Sequence, residues 1–240
     1  MRATPSVLPL HVRGVSYVVD GKALLSDIDF TLTDGSRTIM LGPNGAGKSL
    51  TLRLCHGLLQ PSTGEISWAV PHRVAARAQA MVFQRPVMLR RSAAANVAYA
   101  LAVRGVPRRR RGPRVAEALA AAGLADRAAT PARVLSAGQQ QRLALARAWA
   151  LEPEVLFLDE PTANLDPAAT HAIERVINAF RGRGTKIVMT THDLGQARRL
   201  ADHVLFLHRG RLVEQGPAEA FFSRPASREA RSFIKGELLW

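Results

Sequence analysis

The sequence has a single cysteine, Cys55, and no long run of uncharged residues. One thiol cannot form a disulfide within the chain, which fits a protein of a reducing compartment. The longest segment free of Asp, Glu, Lys and Arg has 12 residues, at 92–103, whereas a membrane-spanning helix needs about 20 apolar residues. Residues 1–19 also lack the apolar segment of a signal peptide. These absences predict a soluble, intracellular chain that does not cross a bilayer.

Acidic residues and lysines are scarce. The chain has 33 basic residues, only four of them lysine, against 19 acidic ones, for a formal net charge of +14. Such a surplus of positive charge is typical of proteins that bind nucleic acid, an anionic membrane face or phosphate-rich ligands. The abundance of Ala beside Arg is also explained by biased codon usage. The densest cluster, four arginines at 108–111, is flanked by Pro107, Gly112 and Pro113 and is expected to form a solvated loop. A contact with anionic lipid or a partner is the alternative.

The composition is that of an ordinary globular protein, with 47% hydrophobic and 22% charged residues among 240, which excludes disorder. Strands are predicted at 15–19, 28–32, 37–41, 64–68, 80–83, 155–158, 186–190 and 204–207. Helices are predicted at 50–59, 92–103, 115–124, 139–151, 167–180 and 194–200. Strands that alternate with helices indicate right-handed crossovers and a mainly parallel sheet, interrupted here by a helical middle.

A glycine-rich segment connects the strand predicted at 37–41 to the next helix. It reads G-P-N-G-A-G-K-S at 42–49 and matches the phosphate-loop pattern G-x-x-x-x-G-K-[ST] in the strand–helix context that the pattern requires. Its glycines can expose backbone N–H groups to phosphates, at the positive end of the following helix. Lys48 would bridge the β- and γ-phosphates, and Ser49 Oγ would ligate Mg²⁺. The segment predicts ATP or GTP binding by Gly42, Pro43, Asn44, Gly45, Ala46, Gly47, Lys48, Ser49 and Leu50.

Two acids and a histidine follow later strands. Asp159 and Glu160 come directly after the apolar segment 155–158, and ligands collect at the carboxyl ends of parallel strands. Asp159 would hold Mg²⁺, and Glu160 would accept a proton from the water that attacks the γ-phosphate. Acids after a strand often only begin a helix; the phosphate loop favours the catalytic role. His192 follows the strand at 186–190 and would hydrogen-bond to the γ-phosphate or the water, although a lone histidine is more often structural.

The segment L-S-A-G-Q-Q-Q-R at 135–142 is similar to L-S-G-G-Q-x-x-R, the signature of the nucleotide-binding subunits of ABC transporters. The motifs also follow that family's order: phosphate loop, Gln84, signature, acid pair, Asn164-Leu165-Asp166 and His192. The resemblance spans about 12–214. It implies an α/β fold, a P-loop NTPase ABC ATPase core with an N-terminal antiparallel β subdomain and an inserted α-helical subdomain. We expect one domain over 1–240, with the core at about 8–84 and 148–216, the insert at 85–147 and a C-terminal helical segment at 217–240.

The resemblance also implies roles for individual residues. Tyr17 would stack on adenine, unless it is an ordinary strand aromatic, and Gln84 would contact Mg²⁺ or the attacking water and link the site to the helical insert. Two copies would bind head to tail, so that each ATP lies between one phosphate loop and the opposite signature, with Asp166 facing the partner. The signature contacts would come from Ser136, Ala137, Gly138 and Gln139. The implied catalytic residues are Lys48, Gln84, Glu160 and His192, and the implied metal ligands are Ser49, Gln84 and Asp159.

Two positions depart from the family pattern. Ala137 replaces the first glycine of the signature pair; its methyl is small, so we expect it to be tolerated, with altered closure. Leu50 stands where a second hydroxyl usually contacts the α-phosphate, which removes a hydrogen bond worth about 0.5–1.5 kcal/mol. Neither change removes a catalytic group, and we expect an active ATPase.

Three functions are compatible with these motifs. The first is the energising subunit of an importer, a peripheral homodimer on the cytoplasmic face of the inner membrane, beneath permease subunits and indirectly served by a solute-binding protein. The segment 85–92 would meet the permease and, with Asn96-Val97, resembles the oxyanion importers for phosphate, tungstate or molybdate. The second is an exporter or membrane-remodelling ATPase. The third is a nucleic-acid-associated ATPase, which only the charge favours: the 85 residues between phosphate loop and signature are too few for a long coiled coil, so no nucleic acid is expected.

The C-terminal segment, 217–240, holds four large apolar residues: Phe221, Phe222, Phe233 and Ile234. They suggest helices that pack back on the core in a purely structural role. We expect no separate regulatory domain after them.

Overall fold

The structure is a computed structural model that describes residues 6–237. Its strands are β1 (Leu10–Val19), β2 (Lys22–Leu32), β3 (Arg37–Leu41), β4 (Thr63–Trp68), β5 (Gln79–Val82), β6 (Val155–Asp159), β7 (Lys186–Thr190), β8 (His203–His208) and β9 (Arg211–Pro217). Its α-helices are α1 (Lys48–His56), α2 (His72–Ala78), α3 (Ala93–Val103), α4 (Arg108–Ala121), α5 (Ala137–Trp149), α6 (Pro167–Gly182), α7 (Leu194–Leu200), α8 (Ala218–Ser223) and α9 (Arg228–Ile234). The expected domain, 1–240, includes residues 1–5 and 238–240, which lie outside the described residues.

A six-stranded sheet forms the centre of the fold, in the order β5-β6-β7-β3-β8-β9. Its strands run parallel except β9, which pairs antiparallel with β8. Every residue of β6 is buried, and successive side chains point to opposite faces of the sheet. Val155 and Phe157 pack in the hydrophobic cluster on one face, and Leu156 and Leu158 pack in the cluster on the other. A strand covered on both faces reads as a continuous apolar run. The predicted α/β core is confirmed.

A three-stranded antiparallel sheet, in the order β2-β1-β4, covers one side of this core. Tyr17 in β1 lies opposite Leu25 in β2. Leu25 is fully buried and packs so closely on Gly47 that a Cβ there would lie 2.4 Å from Leu25 Cδ2. The predicted antiparallel subdomain is therefore present, and its Leu25 side chain packs directly on the phosphate loop.

Helices α3, α4 and α5 lie between β5 and β6 in sequence and pack together around buried Val97, Leu101, Leu119 and Leu143. The loop predicted at 108–111 is wrong, because these arginines form the first turn of α4. Arginine is a good helix former, and Pro107 in extended conformation precedes the helix. Pro113 lies inside α4 and removes one helical N–H donor.

Two further elements were not predicted from the sequence. Helix α2 has one buried residue, Ala75, and strand β9 returns beside β8 through a turn in which Arg209 and Gly210 have φ of 49° and 75°. Helices α8 and α9 confirm the predicted C-terminal helices over the described residues: Phe221 and Phe233 pack against Phe206, with ring centroids 5.8 and 5.2 Å apart. Within 6–237, no helix has the length and apolar character needed to span a bilayer.

Candidate nucleotide-binding site

The phosphate-loop segment adopts a conformation in which glycine is required at key positions. Gly42 has a φ of 147°, and a Cβ there would lie 2.1 Å from the carbonyl oxygen of Leu207. Gly47, with a φ of 100°, caps α1 without a side chain. Among the described residues, the N–H groups of Gly45, Gly47, Lys48 and Ser49 donate to no protein acceptor. These donors, at the positive end of a helix, form a cradle for an anion such as a phosphate chain.

Lys48 lies at the centre of this cradle. Its side chain is 5% exposed, and Nζ donates to the carbonyl oxygens of Gly42 and Pro43 at 2.8 and 3.0 Å. Nζ also lies 3.9 Å from Glu160 Oε1. Burial lowers the pKa of Lys48, while the negative charges of Glu160 and Asp159 act in the opposite direction. An ammonium held among free N–H groups fits a polyanionic ligand.

Asp159 ends β6 with its carboxylate fixed by hydroxyl groups of two other elements. Ser49 Oγ donates to Asp159 Oδ1 at 2.6 Å, and Thr190 Oγ1 donates to the same oxygen at 2.9 Å. Arg53 Nη2 lies 3.7 Å from the other oxygen, Oδ2. A hydroxyl and a carboxylate in contact supply the oxygen ligands that Mg²⁺ prefers. The residues present therefore fit a magnesium ion.

Glu160 follows Asp159 in a left-handed conformation, with a φ of 42°. Its N–H donates to Thr190 Oγ1 at 2.9 Å, and its Oε2 lies 3.2 Å from His192 Nδ1. A cavity of about 200 Å³ lies beside it, lined by Glu160, Asn164, Thr170 and His192 among others. The Glu160 carboxylate thus lies between a buried ammonium and an imidazole, with space next to it for a small molecule such as water.

The structure brings five predicted site residues into direct contact: Lys48, Ser49, Asp159, Glu160 and His192. Gln84 is exposed, two residues beyond β5, and Tyr17 is half-buried in β1. Within 6–237, neither of these two side chains hydrogen-bonds to the five. Gln141 Nε2 in α5 donates to the carbonyl of Phe83 at 3.2 Å, which ties the start of the Gln84 loop to the helical segment.

The signature-like segment forms the start of α5. Ser136 caps the helix: its Oγ accepts from the N–H of Gln139, whose Oε1 accepts from the N–H of Ser136. Gly138 was expected ahead of the helix but lies inside it, since Ser136 is already the cap. A Cβ at Gly138 would lie 2.8 Å from Ala169 Cβ in α6, whereas Ala137 is exposed. The substituted position thus faces solvent, and the tightly packed position keeps its glycine.

Asp166 and Leu50 each have a local structural role. Asp166 caps α6, its Oδ1 accepting from the N–H of Ala169 at 2.8 Å. Leu50 is half-buried against the cluster beneath the antiparallel sheet. The next hydroxyl, Thr51 Oγ1, donates to the carbonyl of Gly47 at 3.0 Å, so it does not replace the hydroxyl that Leu50 lacks.

Two residues of the site were not found from the sequence, namely Thr190 and Arg53, which both contact Asp159. A signal was present for each of them. Thr190 is a hydroxyl residue that follows the three apolar residues 187–189 at the end of β7, and Arg53 lies one helical turn after Ser49, on the same face of α1. Neither signal alone predicts a contact between these elements.

The geometry first defines a class. This arrangement is that of a P-loop nucleoside triphosphatase. It combines a phosphate loop that holds a buried lysine, a hydroxyl paired with the carboxylate at the end of a parallel strand, and an adjacent glutamate. Comparison with known proteins then defines the family.

The family profile described as ABC transporter matches residues 25–163, more than half of the chain. The phosphate import ATP-binding protein PstB 2 of Natronomonas pharaonis is 41% identical over 96% of this chain and 88% of its own length. A probable anion import ATP-binding protein of Haloferax volcanii is 34% identical over the same shares. A solved structure of an ATP-binding subunit of an ABC transporter superposes with a TM-score of 0.82 at 26% identity, covering 95% of this chain and all of that one. The chain belongs to the ABC transporter family and is one of its ATPases.

Proposed function

We propose that this chain is the ATP-hydrolysing subunit of an importer for a small oxyanion. The observation that carries the proposal is the contact of Glu160 with Lys48 on one side and His192 on the other, in a chain 41% identical to a phosphate import ATP-binding protein. The contact supports hydrolysis, and the likeness supports import of phosphate. Tungstate and molybdate, the other substrates expected from the sequence, belong to the same chemical class of small oxyanions.

Hydrolysis is assigned to the residues that the structure brings together. The N–H groups of the phosphate loop and Lys48 hold the β- and γ-phosphates of ATP. Glu160 accepts the proton of the attacking water, and His192 orients the Glu160 carboxylate and hydrogen-bonds towards the γ-phosphate. General-base help of this kind contributes about 10²–10⁴-fold to a rate.

Mg²⁺ fits at Ser49 and Asp159, whose oxygens are 2.6 Å apart, with Gln84 as a further ligand from the loop after β5. When bound, the ion neutralises charge on the β- and γ-phosphates. Tyr17, half-buried in β1 beside the strand that supports Gly47, is proposed to stack on the adenine ring.

Two copies of the chain are proposed to complete each ATP site. Ser136 and Ala137 are exposed at the N-terminus of α5, a 13-residue helix whose positive end can approach the phosphates bound by the partner. Half-buried Gln139 is proposed to complete this signature surface, and Gly138, buried against Ala169, lets α6 pack closely beside it. Asp166, which starts α6 beside Gly138, is proposed to face the partner as well.

A groove beside Gln84 is proposed to receive the permease. It has a volume of about 550 Å³ and lies between β5, α3 and α5. Large apolar side chains in its lining are exposed, among them Val87 (75%), Val103 (71%), Tyr99 (44%) and Phe83 (40%). Exposed apolar surface at one groove is typical of a protein–protein contact. A short amphipathic helix of a membrane subunit would bury it, placing the chain peripherally on the cytoplasmic face of the inner membrane.

The alternatives differ in the partner that they require. An exporter would use the same hydrolytic residues and the same groove with a different permease. A nucleic-acid-associated ATPase would leave the groove without a membrane partner, and only the net charge favours it. For the importer we also expect a solute-binding protein, which reaches this chain only through the permease.

The test is to isolate tagged Glu160→Gln protein from ATP-treated native membranes and to identify co-purifying proteins by mass spectrometry. The importer predicts a multi-span permease linked to an oxyanion-binding protein. Val87→Asp, which places a charge in the groove, should lose the permease, whereas Val134→Asp, at an equally exposed valine (71%) that does not line the groove, should retain it. Recovery of DNA-processing proteins or ribosomes without a permease would contradict the proposal, and an exporter permease would contradict import.

A further inference from the structure

The end of strand β7 carries a hydroxyl that belongs to neither of the expected motifs. Thr190 is fully buried and lies directly opposite Asp159 in the parallel register of β6 and β7. Its Oγ1 is 2.9 Å from Asp159 Oδ1 and 2.9 Å from the backbone nitrogen of Glu160. One side-chain oxygen therefore touches both acids of the site.

The direction of these two hydrogen bonds follows from elementary chemistry. The Glu160 N–H can only donate, so it occupies a lone pair of Thr190 Oγ1. The hydroxyl has a single proton, which is left for Asp159 Oδ1. Both bonds form together only when the hydroxyl proton points at the carboxylate, so Thr190 donates to Asp159 Oδ1 while it accepts from the Glu160 N–H.

From this geometry we infer that Thr190 is a positioning residue for the acid pair. Its hydroxyl holds the Asp159 carboxylate in the orientation in which Oδ1 also meets Ser49 Oγ, and it satisfies the Glu160 N–H in the left-handed turn that directs Glu160 towards Lys48 and His192. The inference rests on the proposed function, because it concerns the same acids. Thr190 is fully buried and acts through them.

The neighbouring threonine provides a matched control. Thr191 is also buried (4% exposed), but its Oγ1 accepts from the N–H of Asp193 at 3.1 Å. It makes no hydrogen bond to Asp159 or Glu160 within the described residues. Replacement of either threonine by valine keeps the side-chain shape and removes only the hydroxyl, so the two variants differ in which hydrogen bonds are lost.

The first measurement is the Mg²⁺ concentration that gives half-maximal enhancement of fluorescent ATP-analogue binding to the full chain. Loss of a group that orients a metal ligand typically costs 10–100-fold in metal affinity or activity. We therefore expect Thr190→Val to raise this concentration about tenfold or more, and Thr190→Ser and Thr191→Val to leave it close to the wild-type value. In the assembled complex at saturating Mg²⁺, Thr190→Val should lower kcat while the KM for ATP stays near wild type.

The inference is overturned if Thr190→Val has the wild-type Mg²⁺ dependence, or if Thr191→Val shifts it as much. If Thr190→Val does not fold, as judged by circular dichroism, Thr190→Ala removes the same hydroxyl without placing a methyl against Asp159, and the same two outcomes apply. Failure of the proposed function has a different signature: Glu160→Gln would then turn over ATP like wild type, while the Mg²⁺ titration would still report on Thr190.

Discussion

Glu160 is the proposed general base, and its environment is unusual in three ways. It has a left-handed backbone, its carboxylate is 14% exposed, and its oxygens face Lys48 and His192. A positive φ outside glycine is strained, and such strain clusters at functional sites. Thr190 satisfies the Glu160 N–H, so the strained turn has a specific support. The sequence predicted the identity of this acid, but its backbone conformation is visible only in the structure.

Replacement of this carboxylate separates binding from hydrolysis. Glu160→Gln keeps the size of the side chain and removes the proton acceptor, so we expect ATP binding to persist and turnover by the assembled complex to fall about 10²-fold or more. Glu65→Gln, an exposed glutamate in β4, is the matched control and should retain wild-type turnover. Equal turnover in Glu160→Gln and wild type would contradict the assignment of the base.

At the scale of single elements, the composition around 108–111 predicted a loop where the structure has the start of helix α4. Proline and glycine around 108–111 suggested a loop, yet the arginines form a helical turn with no acidic residue in it. Helix propensity and packing of Val115, Ala118 and Leu119 outweigh the unfavourable position of these charges at the positive end of the helix. Helix α2 and strand β9 were not predicted, because they bury too little apolar surface to produce a periodic hydrophobic pattern in the sequence.

The charge arrangement in α4 leads to a stability prediction. Arg108→Glu places a negative charge in the first turn and should raise the free energy of unfolding by about 1 kcal/mol, or about 2–4 °C in Tm. Arg211→Glu changes the net charge equally on an exposed strand residue, away from any helix end, and serves as the control. A thermal or denaturant unfolding curve checks the prediction, and an unchanged or lower stability of Arg108→Glu relative to the control would contradict it.

Strand β7 begins with a second, unrelated buried cation. Lys186 is 1% exposed, and its Nζ donates to Ser36 Oγ and Thr38 Oγ1 at 2.5 and 2.9 Å. Burial lowers the pKa of Lys186 from 10.5 to about 8, and the charges of Asp202 and Asp34 offset only part of that effect. Between these two pKa values the folded chain has released the proton while the unfolded chain still holds it. Stability therefore rises with pH across this window.

Lys186→Met should abolish this rise. We expect the free energy of unfolding of the wild type to increase by up to about 3 kcal/mol between pH 8 and 10.5, and that of Lys186→Met to lack this contribution. Lys22→Met, which removes an exposed lysine, should keep it. Denaturant unfolding at several pH values measures the difference, and parallel pH profiles for the wild type and Lys186→Met would contradict the prediction.

At the scale of the whole molecule, the sequence predicts the site better than the contacts that hold it. Lys48 was predicted from the glycine-rich pattern between a strand and a helix, and Asp159 and Glu160 from their position directly after an apolar strand beside that phosphate loop. The contacts of Thr190 and Arg53 with Asp159 depend on the register between distant strands and a helix, which no local pattern encodes. The same holds for the groove beside Gln84, whose apolar lining comes from several segments.

The proposed function requires that ATP hydrolysis at Glu160 drives the import of an oxyanion. The most direct test is uptake of radiolabelled phosphate by source cells in which the gene encodes wild-type, Glu160→Gln or Glu65→Gln protein. We expect uptake to fall to background in Glu160→Gln, with the protein still present at the membrane, and to stay at the wild-type level in Glu65→Gln. Wild-type phosphate uptake in the Glu160→Gln cells, with no other phosphate importer expressed, would contradict it.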